Sequence, residues 1–192
     1  MALKTTVFVG NISSLSDTRY CAGMGVDMIG FPVDSSLPNQ IPLEAFNEIS
    51  NWVSGIKIVG EIVNNLPTDY SFDMIKLGNL DIIEEVNKSG LPYIFTLDAT
   101  QDLGDVSSLN KYINPVYFLL EIPISMDMKQ IKEIIESLQA PTLVGYDLSA
   151  SNINSLIEAG ASGIALLGSQ EDKPGFKDYD ELADVLEFLE KD

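Results

Sequence analysis

The feature that most constrains this chain is an alternation. Short, nearly unbroken apolar runs recur along it: Val7–Gly10, Met28–Phe31, Ile56–Val63, Met74–Leu77, Tyr93–Leu97, Tyr117–Glu121, Thr142–Val144 and Gly163–Leu167. Runs of this kind are strands covered on both faces, as in parallel sheets. Helical patterns lie between them at Ser16–Met24, Leu43–Val53, Leu80–Ser89, Met128–Leu138, Ser151–Glu158 and Tyr179–Leu189, while Pro67–Phe72 and Val106–Ile113 are expected to be short or irregular. Gly23, Gly25, Gly55, Gly90 and Gly160 each close a helical pattern before a strand, as C′ glycines do. Eight strand–helix repeats predict an α/β fold, a closed (β/α)₈ barrel in preference to an open doubly wound sheet. No linker or compositional break interrupts residues 1–192, so a single small domain with short loops is expected.

Charge narrows the function. Eleven basic against 29 acidic residues give a net charge of −18. Such a field opposes nucleic acid and anionic membranes, and it disfavours phosphorylated substrates unless a local site overrides it. Arg19 is the sole arginine and histidine is absent. The chain therefore lacks the commonest general acid–base residue and nearly lacks the usual bidentate anion ligand. No apolar run approaches the ~20 residues of a membrane helix. The lone cysteine, Cys21, excludes an internal disulfide and fits a reducing, cytoplasmic setting as a buried, inert thiol. No Gly-x-Gly-x-x-Gly follows a strand, and no cofactor or metal is assigned.

Several stretches together resemble phosphoribosylanthranilate isomerase, the tryptophan-pathway barrel. They are Val9-Gly10-Asn11-Ile12-Ser13-Ser14-Leu15-Ser16-Asp17, Gly25-Val26-Asp27-Met28-Ile29-Gly30-Phe31, Val59-Gly60-Glu61-Ile62-Val63-Asn64, and Gly168 with Glu171 and Pro174-Gly175-Phe176-Lys177-Asp178. The resemblance implies a general base, a cysteine in that family, at Gly10, or at Val9 with a one-residue shift, and a general acid, an aspartate there, at Glu121. It implies an arginine for the substrate carboxylate near Asn39, and paired glycines at Tyr146 and Asp147. It also implies an aspartate and serines at Ile164, Leu166 and Leu167, and a glycine-rich loop where Ile122-Pro123-Ile124-Ser125 stands. Base, carboxylate clamp and phosphate cradle are all replaced, which reads as loss of that reaction.

Barrel enzymes build their sites at the C-terminal ends of the strands. Glu61, Lys76, Asp98 and Glu121 are expected to meet there as one ionisable cluster. That cluster reads in three ways: Glu121 as general acid or base tuned by Lys76, carboxylates that bind a cation, or a salt-bridged plug in a disused mouth. The expected ligand-binding residues are Asn11, Asn39, Lys76, Tyr146, Asp147, Gly168 and Ser169, with Gly168-Ser169 offering backbone amides to a phosphate. The resulting expectation is a divergent barrel without the parental activity that binds a small phosphorylated ligand or a protein partner. The alternatives are an isomerase of a phosphoribosyl-type aminosugar with Glu121 as acid, and cation-assisted chemistry at the carboxylates.

Overall fold

The structure, a computed structural model, describes residues 2–123, 125–146, 148–168 and 180–191. Eight parallel strands close in sequence order into a barrel: β1 (Thr6–Gly10), β2 (Met28–Pro32), β3 (Lys57–Glu61), β4 (Met74–Leu77), β5 (Tyr93–Asp98), β6 (Tyr117–Ile122), β7 (Thr142–Tyr146) and β8 (Gly163–Leu167). Closure is made by β1 and β8, in register from Thr6 opposite Gly163 to Gly10 opposite Leu167. The open-sheet alternative is thereby excluded. The helices are α1 (Leu15–Gly23), α2 (Leu43–Ser50), α3 (Ile83–Ser89), α4 (Met128–Ser137), α5 (Ala150–Glu158) and α6 (Asp180–Phe188). A 3₁₀ turn at Leu80–Ile82 leads into α3, and another at Val106–Lys111 is all the helix between β5 and β6. The β3–β4 connection contains no helix. No helix among the described residues is long and apolar enough to cross a membrane.

The period of two along each strand divides the core. One residue from every strand points inward (Phe8, Met28, Val59, Met74, Ile94, Leu119, Leu143 and Ala165), and together they fill the barrel axis. The intervening residues, such as Val7, Ile29, Ile75 and Leu120, face the helices and form a second, larger core. Where the helix between β3 and β4 is missing, loop side chains take its place. Tyr70 stacks edge-on against Phe46 of α2 at 5.2 Å, and Phe72 lies against Gly60, where a Cβ would meet its ring at 2.9 Å.

Element edges differ from the sequence expectation for local reasons. β3 stops at Glu61, because Ile62 and Val63 already belong to the loop tied down by Asp34. β7 runs on to Tyr146, paired with Ile122. Gly23 is the last residue of α1 and not a left-handed cap; Gly25, Gly55, Gly90 and Gly160 do take positive φ. Ser14 caps α1, its hydroxyl accepting from the Asp17 N–H at 3.2 Å.

Candidate functional site

The inward alternation that places Val59, Met74 and Leu119 on the axis brings Glu61, Lys76 and Glu121 inward two residues later, at the C-terminal mouth. Glu61 and Lys76 are direct partners in the β3–β4 register. Their side chains form an ion pair at 3.2 Å, and Glu121 lies 4.0 Å from the same ammonium. The first two side chains are largely buried, at 17% and 11% exposure for Lys76 and Glu61, whereas Glu121 keeps 30%. The expected cluster therefore forms with one change. Asp98 bonds its own loop, accepting from the Thr100 N–H at 2.9 Å, the Thr100 hydroxyl at 2.6 Å and the Gln101 amide at 2.8 Å, and makes no ion pair with Lys76.

Two glycines make room for Glu61. A Cβ on Gly10 would stand 2.6 Å from Glu61 Oε1, and a Cβ on Gly30 would lie 2.9 Å from the same carboxylate and 2.7 Å from the tip of Phe8. The Glu61 carboxylate thus lies in the space a side chain at position 10 would enter. Asn11, in the left-handed region at φ 58°, donates its N–H to Glu61 Oε2 at 2.9 Å. The Asn39 amide donates to Asn11 Oδ1 at 2.5 Å. Polar contacts therefore run from the β2–α2 loop through Asn39, Asn11 and Glu61 to Lys76.

Protonation follows from these contacts. Burial pulls the Lys76 pKa down, but Glu61 foremost, then the Tyr146 hydroxyl and Glu121, outweigh it and raise its pKa, so it remains an ammonium. Burial raises the pKa of Glu121; Lys76 opposes this, while Asp98 and Glu61 add to it. Burial likewise pushes the Tyr146 phenol up, against the pull of Lys76. The Lys76 ammonium sits 5.3 Å from the centre of the Tyr146 ring, and the buried phenol oxygen makes no hydrogen bond of good geometry among the described residues. The Thr96 hydroxyl is also buried without a partner there. A cavity of about 550 Å³ opens over the trio, lined by the polar Asn11, Asn39, Asn79 and Thr96 and the apolar Leu37, Ile62, Val63, Leu77 and Leu167. The described residues contain no group of three or more His, Cys, Asp or Glu side chains suited to a metal.

Asp34, another strand-end carboxylate, has a structural task. It is buried, and it accepts from the N–H groups of Ser36, Val63, Asn64 and Asn65 and from the Asn65 amide, at 2.6–3.0 Å. Burial pulls its pKa up, but these bonds together drive it well below the ordinary value. The β2 and β3 loops are clamped together as a result, which fixes Ile62 and Val63 over the mouth.

The expected phosphate cradle is altered. The Gly168 N–H is donated to the Gly10 carbonyl at 2.7 Å, and a Cβ there would crowd Ile12 at 3.1 Å. Gly168 serves the packing of β8 on the first loop and has no amide to offer an anion. Ser169 and Asp147 lie outside the described residues. Sequence reasoning overlooked Thr96 and Gly30. The available signal was positional: each falls two residues after an axial residue, Ile94 or Met28.

No family model matches the chain. A curated relative, the N-(5′-phosphoribosyl)anthranilate isomerase of Rubrobacter xylanophilus, is 30% identical over 126 residues, 60% of this chain and 61% of that protein. The match thus spans less than two thirds of the relative's length. Among solved structures, the phosphoribosyl anthranilate isomerases of Thermus thermophilus and Thermotoga maritima each superpose with a TM-score of 0.78 at 16% identity, over 96% of this chain and 98% of theirs. The Pyrococcus furiosus enzyme gives 0.73 at 19% identity, with the same coverage. At such identities the superpositions establish the shared barrel. The resemblance read from the sequence is supported, and the chain is a phosphoribosylanthranilate isomerase-like (β/α)₈ barrel.

Proposed function

We propose that this barrel does not isomerise phosphoribosylanthranilate and instead holds a small, unphosphorylated polar molecule at its mouth, in a cytoplasmic setting. The observation that carries the reading is the exchange at β1 and β3: glycine stands where the family's base is implied, and the Glu61 carboxylate, pinned by Lys76, fills the vacated space. Binding has changed along with chemistry. Asn39 stands where the resemblance implies an arginine, and the one arginine, Arg19 of α1, lies over the ring of Trp52 in the turn after α2, 4.4 Å from its centre. Two carboxylates against one ammonium repel a phosphate. The mixed lining and the volume of the cavity suit a small molecule better than a protein surface. Purified protein, free of host isomerase, is expected to show no turnover of phosphoribosylanthranilate, and its gene no rescue of a tryptophan auxotroph lacking the isomerase. Turnover of about 1 s⁻¹ or more, the range of ordinary enzymes, overturns the reading.

One observation favours a second reading, an isomerase of a phosphoribosyl-type aminosugar. Glu121 stands at the end of β6, where the family's acid is implied, and burial raises its pKa, the direction that favours a proton donor. Rescue of the auxotroph, lost in Glu121→Gln, would select it.

A further inference from the structure

The resemblance leaves a base unaccounted for, and the geometry supplies a carboxylate in its place. Glu61 Oε1 lies 2.6 Å from the point where a Cβ on residue 10 would be, too close for both to be accommodated. It arrives from β3, through the gap left by Gly10 and Gly30, and is aimed by the Asn11 N–H and the Lys76 ammonium. Glu121 flanks the same ammonium from β6. Two carboxylates in unlike surroundings, one ion-paired and deeply set, the other looser and open to the cavity, are the arrangement in which one accepts a proton and the other gives one. An ammonium fixed between them is placed to hold negative charge that develops on an oxygen.

We propose that the mouth transfers protons at carbon on a small, unphosphorylated α-hydroxy ketone or aldehyde, with Glu61 as base, Glu121 as acid and Lys76 holding the developing oxyanion. The inference rests on the reading of the mouth as a small-molecule site. In the step, the bond from C1 to hydrogen breaks and its proton passes to the Glu61 carboxylate. The electron pair forms the C1–C2 double bond, and the carbonyl oxygen takes the proton of Glu121, giving an enediol. Return through the same groups restores the ketone or yields the aldose. Hydroxyl groups on the substrate match the Asn11, Asn39 and Asn79 amides and the unpartnered Thr96 hydroxyl. The excess of carboxylate over ammonium excludes a phosphate.

The test is solvent exchange. Dihydroxyacetone and D-ribulose are incubated with the protein in D₂O, with D-ribulose 5-phosphate in parallel, and loss of the C1 proton signal is followed by NMR. Amide shifts are recorded on the same samples. Exchange at least ~10-fold above protein-free buffer is expected for the unphosphorylated ketoses, falling to the protein-free rate in Glu61→Gln, because one acid–base group supplies ~10²-fold or more. Glu61→Asp retains part of it. Amide shifts at Asn79, Thr96 and Val63 without exchange overturn the proton-transfer role and leave the binding reading intact; neither exchange nor shifts overturns both. Undiminished exchange in Glu61→Gln overturns the assignment of the base. A measurement on the unaltered protein guards against an unfolded variant. With 1-bromo-3-hydroxyacetone, a carboxylate oxygen displaces bromide to form an ester, and peptide mapping is expected to find that ester on Glu61. Labelling confined to surface carboxylates overturns the proposal.

Discussion

Gly10 and Glu61 share one volume: a Cβ on the first would stand 2.6 Å from Oε1 of the second. The contact is with the free end of a side chain, so Glu61 can withdraw, but only by surrendering the Asn11 N–H and its pairing with Lys76. Gly10→Cys is therefore expected to cost about 1–3 kcal/mol, the usual range for overpacking, and to restore no isomerisation of phosphoribosylanthranilate. Urea melts of Gly10→Cys, Glu61→Ala and the double variant measure the coupling. Strictly additive losses would show that the two residues do not compete for the space.

Lys76 and Glu121 are expected to behave oppositely on removal. Lys76→Met strands the Glu61 carboxylate in a largely buried setting and should cost ~3–5 kcal/mol. Glu121→Gln should cost little or stabilise. The Glu121 pKa is raised in the folded state, so its favourable contribution is fully present below the unfolded value and is lost as pH rises through the folded one. In urea melts across pH 4–8, the wild type should lose ground to Glu121→Gln as pH rises. A parallel pair of curves refutes the expectation.

Asp34 carries the opposite sign. Its folded pKa is depressed, so its contribution is present above the unfolded value of about 3.9 and is lost as pH falls toward the folded one. Asp34→Asn leaves N–H groups of the β3 loop facing an amide in place of a carboxylate oxygen, and should cost on the order of 3 kcal/mol at pH 7. The gap between wild type and variant should narrow below pH 4. A gap unchanged down to pH 2 would place the effect elsewhere.

Inorganic phosphate should leave the Gly168 amide unmoved, because its hydrogen is already engaged by the Gly10 carbonyl. A ¹⁵N titration to tens of millimolar, about tenfold over a ~1 mM site at ~−4 kcal/mol, is the measurement. A saturable shift at Gly168 would restore the phosphate-cradle reading.

The barrel was legible because its strands announce themselves. Runs such as Met74–Leu77 and Gly163–Leu167 are short and nearly unbroken apolar stretches, and both strands have the expected bounds. Lys76, Glu61 and Glu121 were legible as strand-end residues of an alternating pattern. Gly10 beside Glu61 was not, because that meeting depends on how β1 and β3 lean across the barrel axis, a relation that neither segment encodes alone. Gly168 misled for the same reason. A glycine at a strand end suggests an amide free for an anion, and only closure of β8 on β1 reveals that the amide is taken. The task of Asp34 was not legible, because four of the five donors that converge on it come from the loop after β3, 29–31 residues further along the chain.

The missing helix between β3 and β4 gives one connection two duties. Its beginning, at Ile62 and Val63, walls the mouth; its end, at Phe72, presses on Gly60 from outside the barrel, one residue before Glu61. After β1, β2, β6 and β7 an α-helix is the buttress and a separate loop the rim, so the two can drift independently. Here an insertion that reshapes the rim also shifts the buttress behind the ion pair. This stretch should thus tolerate far less length variation than an ordinary surface loop, and selection acting on the ligand would be felt directly as selection on the wall.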